Sequence, residues 1–257
     1  MKIATYNVNG VNGRLPRLLE WLDETRPDVA CLQELKTSNE TFPLQAIRDA
    51  GYGAVWSGQK SFNGVAILAR DATPVERCRA LPGGADDTHS RYIEAEVDGL
   101  VVASLYLPNG NPQPGPKFDY KLRWMDRLAA RMAAIYAQEV PAVVIGDYNV
   151  IPNDTDIWDP RAMADDALMQ PRSRAAYRRL MAAGWTDALA THNPRGGVWT
   201  YWDYQAGAWQ RDHGFRIDHA LLSPELADRL LATGVDKVFR GREKASDHAP
   251  VWVRVTR

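Results

Sequence analysis

Cysteine is scarce in this sequence, which has two, Cys31 and Cys78, among 257 residues. Two unclustered cysteines do not make a zinc site, and they are too few for a fold held together by disulfides. Cys31 lies in the apolar run Val29-Ala30-Cys31-Leu32, which is typical of a core position. Such low cysteine usage suits a reducing compartment, so we expect a cytoplasmic protein.

A long apolar run is also missing. No segment approaches the ~20 apolar residues that a membrane-spanning helix needs. Asn7 and Asn9 interrupt the apolar stretch that follows Lys2, which argues against a signal peptide. We therefore expect no membrane partner.

An excess of positive charge is the third absence. Lys and Arg total 31 against 32 acids, and the formal net charge is -1. A molecule with this balance does not attract nucleic acid through its overall field, so any contact with DNA needs a local basic patch. The charge balance alone weighs mildly against a nucleic-acid partner.

Short apolar runs rich in Val, Ile, Leu and Tyr are what the sequence has in quantity. Runs of this kind predict strands, several of them buried on both faces. The predicted strands are Ile3 to Val8, Asp28 to Gln33, Val65 to Ala69, Tyr92 to Val97, Val101 to Leu107, Ala142 to Ile145, Ile217 to Leu222 and Val251 to Val255.

Helical patterns are fewer. Leucines at helical spacing follow Leu15, and an apolar stripe runs through residues 117 to 138. A third helix is predicted from about Ser173 to Ala183, and Ser223 followed by Pro224 predicts the capped start of a fourth. With no linker or repeat, the pattern predicts one α/β domain over residues 1–257 with helices outside the strands.

Polar side chains recur where the predicted strands begin or end. Taken singly, each is better explained as the start of a turn or a helix cap. The residues at these positions are Asn7, Glu34, Asn109, Asp147, Asn149, Asp218, Asp247 and His248. If neighbouring strand ends bring five of them into one pocket, the pocket is rich in oxygen, which suits Mg²⁺ or Mn²⁺ and argues against structural zinc. These five are Asn7, Glu34, Asp147, Asn149 and Asp247.

At these same residues the sequence resembles the exonuclease III family of abasic-site endonucleases, which belongs to the endonuclease/exonuclease/phosphatase superfamily. The resemblance runs from residue 2 to about residue 253. It rests on six segments: Tyr6 to Gly10, Pro27 to Glu34, Leu105 to Gly110, Gly146 to Asn149, Phe215 to Asp218 and Ser246 to Pro250. The resemblance implies a deoxyribonuclease I-like four-layer sandwich, in which two central mixed β-sheets are flanked by helices.

The resemblance also implies a Mg²⁺-dependent DNA phosphodiesterase of base-excision repair, with Mn²⁺ as a possible substitute. Such an enzyme cuts double-stranded DNA on the 5′ side of abasic sites and trims blocked 3′ ends as a 3′-5′ exonuclease. The expected partner is DNA, and the protein is expected to act as a monomer. The alternatives are the same scaffold acting on RNA or a non-nucleic-acid phosphoester, and a non-catalytic nucleic-acid-binding protein.

Site roles follow residue by residue from the matching motifs. Glu34 is expected to bind the metal ion with help from Asn7 and Asp247. Asp147 is expected to orient or deprotonate the attacking water, with His248 on the scissile phosphate. The rival assignment makes His248 the general base. The remaining expected catalytic residues are Tyr106, Asn149 and Asp218.

The substrate pocket is implied by the same resemblance. Tyr201, Phe215 and Ile217 are expected to line the space for a flipped sugar without a base, and packing in the core is the competing explanation for Tyr201 and Phe215. For Trp199 and Trp202, core packing is the favoured explanation. Asn109 and Arg216 complete the expected substrate contacts. Residues 157–170 match nothing in the family, and Leu35 stands where the family commonly has Thr.

Overall fold

Two six-stranded sheets form the middle of the protein in the computed structural model, which describes all of residues 1–257. The strands are β1 Lys2–Asn7, β2 Val29–Gln33, β3 Tyr52–Ser57, β4 Val65–Arg70, β5 Val75–Cys78, β6 Tyr92–Val97, β7 Leu100–Tyr106, β8 Ala142–Asp147, β9 Thr186–Asp187, β10 Asp218–Leu222, β11 Leu230–Val235 and β12 Val251–Val255. The first sheet has the order β11-β12-β1-β2-β4-β3, and the second has the order β5-β6-β7-β8-β10-β9.

Both sheets are mixed. β1 runs parallel to β2, and β7 runs parallel to β8. All other neighbouring strands are antiparallel. The eight predicted strands are the eight interior strands of the two sheets, and β3, β5, β9 and β11, which the sequence did not predict, are the four edge strands.

The largest apolar core lies between the two sheets. Ile3, Val29 and Ile67 of the first sheet and Val143 and Ile145 of the second belong to one cluster of buried side chains. Because successive side chains of a strand point to opposite faces, the residues between these positions face outward, toward the helices. This explains the nearly continuous apolar runs in the sequence, since both faces of each central strand are covered.

Six helices surround the sheets: α1 Leu15–Thr25, α2 Leu44–Asp49, α3 Pro116–Tyr136, α4 Pro171–Ala182, α5 Ala188–His192 and α6 Pro224–Ala227. Trp21 of α1 and Ile47 of α2 pack on the outer face of the first sheet. Trp124 of α3 and Leu180 of α4 pack on the outer face of the second. The layers are therefore helix, sheet, sheet and helix, which confirms the predicted four-layer sandwich. None of the helices combines the length and apolarity that crossing a membrane requires.

The helix predicted at Ser223 is the weakest of the four. α6 has four residues, and the Ser223 side chain does not cap it. Instead the hydroxyl donates to the carbonyl of Val140 and accepts from the backbone N–H of Ala142, each at 3.0 Å. The capping role predicted for Ser223 is therefore wrong, because its hydroxyl is used to anchor the start of β8.

Strand register brings the polar strand ends to one edge of the sandwich. Asn7 is the last residue of β1, directly beside Gln33 at the end of the parallel strand β2. In the second sheet, Tyr106, Asp147 and Asp218 are side-by-side partners across β7, β8 and β10. The two parallel pairs therefore end at the same edge.

Gly146, next to Asp147 in β8, adopts a φ of +153°, and a Cβ there would lie 2.1 Å from the carbonyl oxygen of Leu105. We predict that Gly146→Ala lowers the free energy of unfolding by about 1–3 kcal/mol or more, because the added carbon forces β7 and β8 apart. Urea unfolding measures the change. Gly99→Ala is the matched control, since Gly99 has a φ of +75° but no atom within 4 Å of the added carbon. Equal losses in the two variants would contradict this packing argument.

Candidate active site

Three titratable side chains meet at one end of the sandwich. Ligand atoms of Glu34, Asp147 and His248 all lie within 4.8 Å of one another. They lie in a cleft with a volume of about 610 Å³. Glu34 follows β2, Asp147 ends β8 and His248 precedes β12, so the cluster draws on both sheets. The other predicted residues that line this cleft are Tyr106, Asn109, Asn149, Tyr201, Phe215, Ile217 and Asp247.

Asn7 lies between the two carboxylates. Its side-chain nitrogen donates to Glu34 Oε1 at 2.9 Å and to Asp147 Oδ2 at 3.0 Å. Its side-chain oxygen accepts from the backbone N–H of Asn9 at 3.0 Å. One fully buried amide therefore joins the first sheet to the second at the centre of the site.

His248 is oriented by Asp218. The imidazole Nδ1 lies 2.9 Å from Asp218 Oδ2, and Nε2 lies 3.7 Å from Asp147 Oδ2. Burial lowers the pKa of His248, but the charge and hydrogen bond of Asp218 outweigh burial and raise it to about 10. The imidazole is therefore positively charged at neutral pH and directs Nε2 toward the cleft.

Asp147 and Glu34 respond differently to burial. Burial raises the pKa of Asp147 to about 7, against the opposing charge of His248. Burial also acts to raise the pKa of Glu34, but hydrogen bonds from Lys36 and Asn7 bring it below its usual value. The Nζ of Lys36 lies 2.8 Å from Glu34 Oε2. The cluster thus holds one readily ionised carboxylate, Glu34, and one that titrates near neutrality, Asp147.

Asn149 does not continue the strand that carries Asp147. β8 ends at Asp147, and Asn149 has a φ of 47° in the left-handed region. The turn is fixed by the bond from the Asn149 backbone N–H to Asp147 Oδ1 at 2.9 Å. The side chain of Asn109 donates to Asn149 Oδ1 at 3.3 Å, so the loops after β7 and β8 are joined beside the cleft.

Tyr106 and Asp247 also lie at the cleft. Burial, and then the nearby charges of Glu34 and Asp147, raise the pKa of Tyr106 well above its usual range, so its hydroxyl keeps its proton. Asp247 Oδ1 accepts a hydrogen bond from the Asn9 side chain at 3.0 Å. Asp247 therefore reaches the same cleft as Glu34 but lies outside the three-residue cluster.

Two aromatic side chains pack beside the imidazole of His248. The Tyr201 ring lies edge-on to His248 at 5.0 Å and packs against Phe215 at 4.7 Å. Phe215 and Ile217 are buried in a small apolar cluster next to the cleft. Trp202 is fully buried, as core packing predicts.

Arg216 lies away from the cleft, and the predicted substrate contact is wrong for this residue. Its guanidinium is 3% exposed and forms bonds of 2.8 Å to both Asp156 and Asp187. Its neighbours Phe215 and Ile217 face the cleft, so alternation along the chain directs Arg216 to the other side. Through its ion pairs with Asp156 and Asp187, Arg216 anchors the segment before β10 on the side that faces away from the cleft.

Lys121 is a site residue that the sequence analysis missed. It is fully buried on α3, and its Nζ donates to the carbonyls of Asn109 at 3.0 Å and Asn149 at 2.5 Å. Burial lowers the pKa of Lys121 to about 7. The signal was present, because Lys121 lies within the apolar stripe, three residues after Phe118 and four before Met125.

The donor set fits a divalent cation. Glu34, which follows β2, and Asp147, which ends β8, supply carboxylate oxygens, and Asp247 adds another at the same cleft. Carboxylates this close repel each other unless a positive charge lies between or beside them. Oxygen ligands are typical of a hard ion and not of structural zinc. The site is thus able to hold a metal ion.

Fold and site together define a phosphoesterase of the two-sheet sandwich class. The sequence profile described as the Endonuclease/Exonuclease/phosphatase family matches residues 4–248. The chain therefore belongs to this family of metal-dependent hydrolases, and the family predicted from the sequence is confirmed.

Relatives of known identity match over the whole chain. Exodeoxyribonuclease III of Haemophilus influenzae is 32% identical over 98% of each sequence. The structure of the Neisseria 3′ phosphatase NExo bound to a product DNA hairpin superimposes with a TM-score of 0.97 at 37% identity, covering 100% of both chains. An AP endonuclease from Archaeoglobus fulgidus gives a TM-score of 0.96 at 34% identity, again over 100% of both chains. The chain is similar to nucleases of the exonuclease III type.

The Asp218–His248 pair makes stability depend on pH. The folded-state pKa of His248, about 10, exceeds its usual 6.5, so its stabilisation is complete below pH 6.5 and is lost as pH rises through 10. We predict that the free energy of unfolding of the metal-free wild type exceeds that of Asp218→Asn by more near pH 7 than near pH 10.5. Urea unfolding at both pH values gives the difference. A difference that is constant or grows with pH would contradict the ion pair.

Lys121 is predicted to matter more for turnover than for stability. Lys121→Met removes two hydrogen bonds but also the cost of burying an amine, so we expect the free energy of unfolding to change by less than about 2 kcal/mol. Turnover should fall by roughly 100-fold because the loops holding Asn109 and Asn149 shift. Arg123→Met, an exposed cation on the same helix, is the control. If Lys121→Met lowers the free energy of unfolding as severely as it lowers turnover, the role of Lys121 is structural and the prediction is wrong.

Proposed function

We propose that this protein is a Mg²⁺-dependent DNA phosphodiesterase of base-excision repair. It would cleave duplex DNA on the 5′ side of abasic sites and trim blocked 3′ ends as a 3′-5′ exonuclease. The observation that carries the proposal is the meeting of Glu34, Asp147 and His248 in one cleft. Phosphodiester hydrolysis needs a positioned water and positive charge on the phosphate, and these three side chains can supply both.

Glu34 is proposed as the main ligand of the metal ion, with Asn7 and Asp247 as assisting residues. When bound, Mg²⁺ or Mn²⁺ polarises the phosphate and stabilises the leaving oxygen. Asn7 directs its amide nitrogen at Glu34 and Asp147, so it orients both carboxylates. Lys36 neutralises part of the charge of Glu34.

Asp147 is proposed as the group that orients and deprotonates the attacking water. The proposal rests on the contrast with His248: burial raises the pKa of Asp147 to about 7, whereas Asp218 raises that of His248 to about 10. A group that titrates near the working pH suits a general base, and an imidazole that is charged at neutral pH suits a contact with the phosphate. This favours the phosphate-binding role of His248 over the rival role as base.

Tyr106 and Asn149 complete the proposed catalytic set. The Tyr106 hydroxyl stays protonated, so it can donate to a phosphate oxygen. Asn149 lies next to Asp147 and is held by its side-chain bond to the carbonyl of Leu107 at 2.9 Å. Its role is to hold the water beside Asp147.

Tyr201, Phe215 and Ile217 are proposed to line the subsite for a sugar without a base, with Asn109 as a further contact from the same cleft. These side chains form an apolar wall directly beside His248. A missing base lowers the cost of unstacking the nucleotide, which favours abasic sites over intact DNA. Arg216 has no part in this subsite.

The protein is proposed to act as a monomer on double-stranded DNA, with residues 1–257 as one catalytic domain. The support is that both sheets of a single chain contribute to the cleft. We further propose a cytoplasmic location, since both cysteines are free, as is typical of a reducing compartment.

The direct test is a duplex oligonucleotide with one tetrahydrofuran abasic analogue. We expect a nick on the 5′ side of the analogue with Mg²⁺ and no product with EDTA. Asp147→Asn should lower the rate by about 100- to 10,000-fold with duplex affinity retained, because a general base is lost. Asp165→Asn, which removes an exposed carboxylate outside the cleft, is the matched control and should cleave as the wild type does.

Other outcomes separate the alternatives. Hydrolysis of bis-nitrophenyl phosphate or an RNA end without cleavage of the duplex would assign the scaffold to another phosphoester. Tight duplex binding without turnover in Mg²⁺ or Mn²⁺ would indicate a binding protein.

A further inference from the structure

Two stacked aromatic rings lie at the rim of the cleft. Trp158 and His213 are parallel within 2°, with ring centroids 3.7 Å apart. Both residues line the same cleft as Glu34, Asp147 and His248. Trp158 comes from the segment 157–170, which contains none of the motifs on which the sequence resemblance rests, and none of the proposed catalytic roles uses either ring.

Backbone bonds connect the two chain segments that carry the stacked rings, and one of these segments leads to the catalytic centre. The Trp158 backbone N–H donates to the carbonyl of Gly214 at 3.1 Å. Ile157 and Phe215, the neighbours of the stacked segment, form a β-bridge. Phe215 in turn packs on Tyr201, which contacts the His248 ring. A series of ring contacts and backbone bonds therefore connects the imidazole to Trp158.

Trp158 is not a core residue. His213 covers one face of its indole, yet the side chain is 40% exposed. It also lies outside the apolar cluster that contains its neighbour Ile157. A large aromatic side chain left exposed in a cleft is a common mark of a ligand contact.

The charge of the cleft indicates what kind of group the stack can take. Carboxylates outnumber cations along the lining: Glu34, Asp147, Asp166, Asp203 and Asp247 face Arg211 and the charged His248. Away from a metal ion, this lining disfavours a second phosphate. A flat, neutral ring meets no such repulsion and can stack on the indole.

We propose that Trp158, backed by His213, is a stacking subsite for an unpaired nucleobase next to the scissile phosphate, and that this subsite favours purines. The inference rests on the proposed function, because it presumes a nucleic-acid strand in the cleft. His213 is a positioning residue that stacks on one face of the indole and so holds its orientation in the cleft. The larger ring system of a purine covers more of the indole than a pyrimidine does, and stacking strength sets preferences of this kind.

The test uses a duplex whose 3′-terminal base is unpaired and replaced by 2-aminopurine. In EDTA, where no cleavage occurs, binding to the wild type should quench the fluorescence of this base through stacking. Trp158→Ala should abolish the quench and weaken binding by about tenfold. Trp158→Phe, which preserves a ring, should retain part of both. Phe62→Ala removes an aromatic side chain that is 67% exposed and lies outside the cleft, so it is the matched control.

A kinetic readout with Mg²⁺ complements the binding data. The ratio of kcat/KM for an unpaired terminal adenine to that for thymine should exceed one in the wild type and approach one in Trp158→Ala. The inference fails if the wild type does not quench the fluorescence. It also fails if the adenine-to-thymine ratio of kcat/KM stays at its wild-type value in both Trp158→Ala and Trp158→Phe. Either result would leave the stack with a purely structural role in holding two loops together. Normal cleavage of the abasic duplex alongside such a result would leave the proposed function standing. Failure to cleave any DNA would instead overturn the proposed function.

Discussion

The closeness of two carboxylates, a half-buried Glu34 that follows β2 of the first sheet and a buried Asp147 that ends β8 of the second, is the constraint on which the site depends. Glu34 and Asp147 are brought together by one amide, that of Asn7, at the edge where the parallel strand pairs of both sheets end. Such proximity is costly without compensating positive charge. The compensation comes from His248 on one side, from Lys36 on the other, and from a metal ion when one is bound. The positively charged groups of the cleft are therefore placed where they offset the repulsion between these two carboxylates.

The interior strands of both sheets could be predicted from the sequence, and the edge strands could not. Most of the interior strands are buried on both faces, so their sequences are nearly continuous apolar runs, whereas β6 and β12 each expose one charged side chain, Glu96 and Arg254. The edge strands β3, β5, β9 and β11 lack that signal: β5 is largely exposed, β9 has two residues, and β3 and β11 are mostly half-buried. Their existence depends on pairing with a neighbour, which sequence patterns do not encode.

The site was predictable where a residue ends or flanks an interior strand. Glu34, Asp147 and His248 were identified in this way, and the structure brings them together. Arg216 was misassigned because its motif neighbours face the cleft, whereas its own side chain points to a buried pair of carboxylates. Lys121 was missed because it supports the site through backbone carbonyls, and no motif marks such a contact.

The central claim is that a divalent cation relieves the repulsion between Glu34 and Asp147. The most direct test is the free energy of unfolding as a function of Mg²⁺ concentration, in the wild type and in Glu34→Gln. A ligand that binds only the folded state adds about 2.7 kcal/mol at 100 times its Kd. The account predicts a rise of this kind in the wild type that is strongly reduced in Glu34→Gln. An equal rise in both proteins, or none in the wild type, would contradict it.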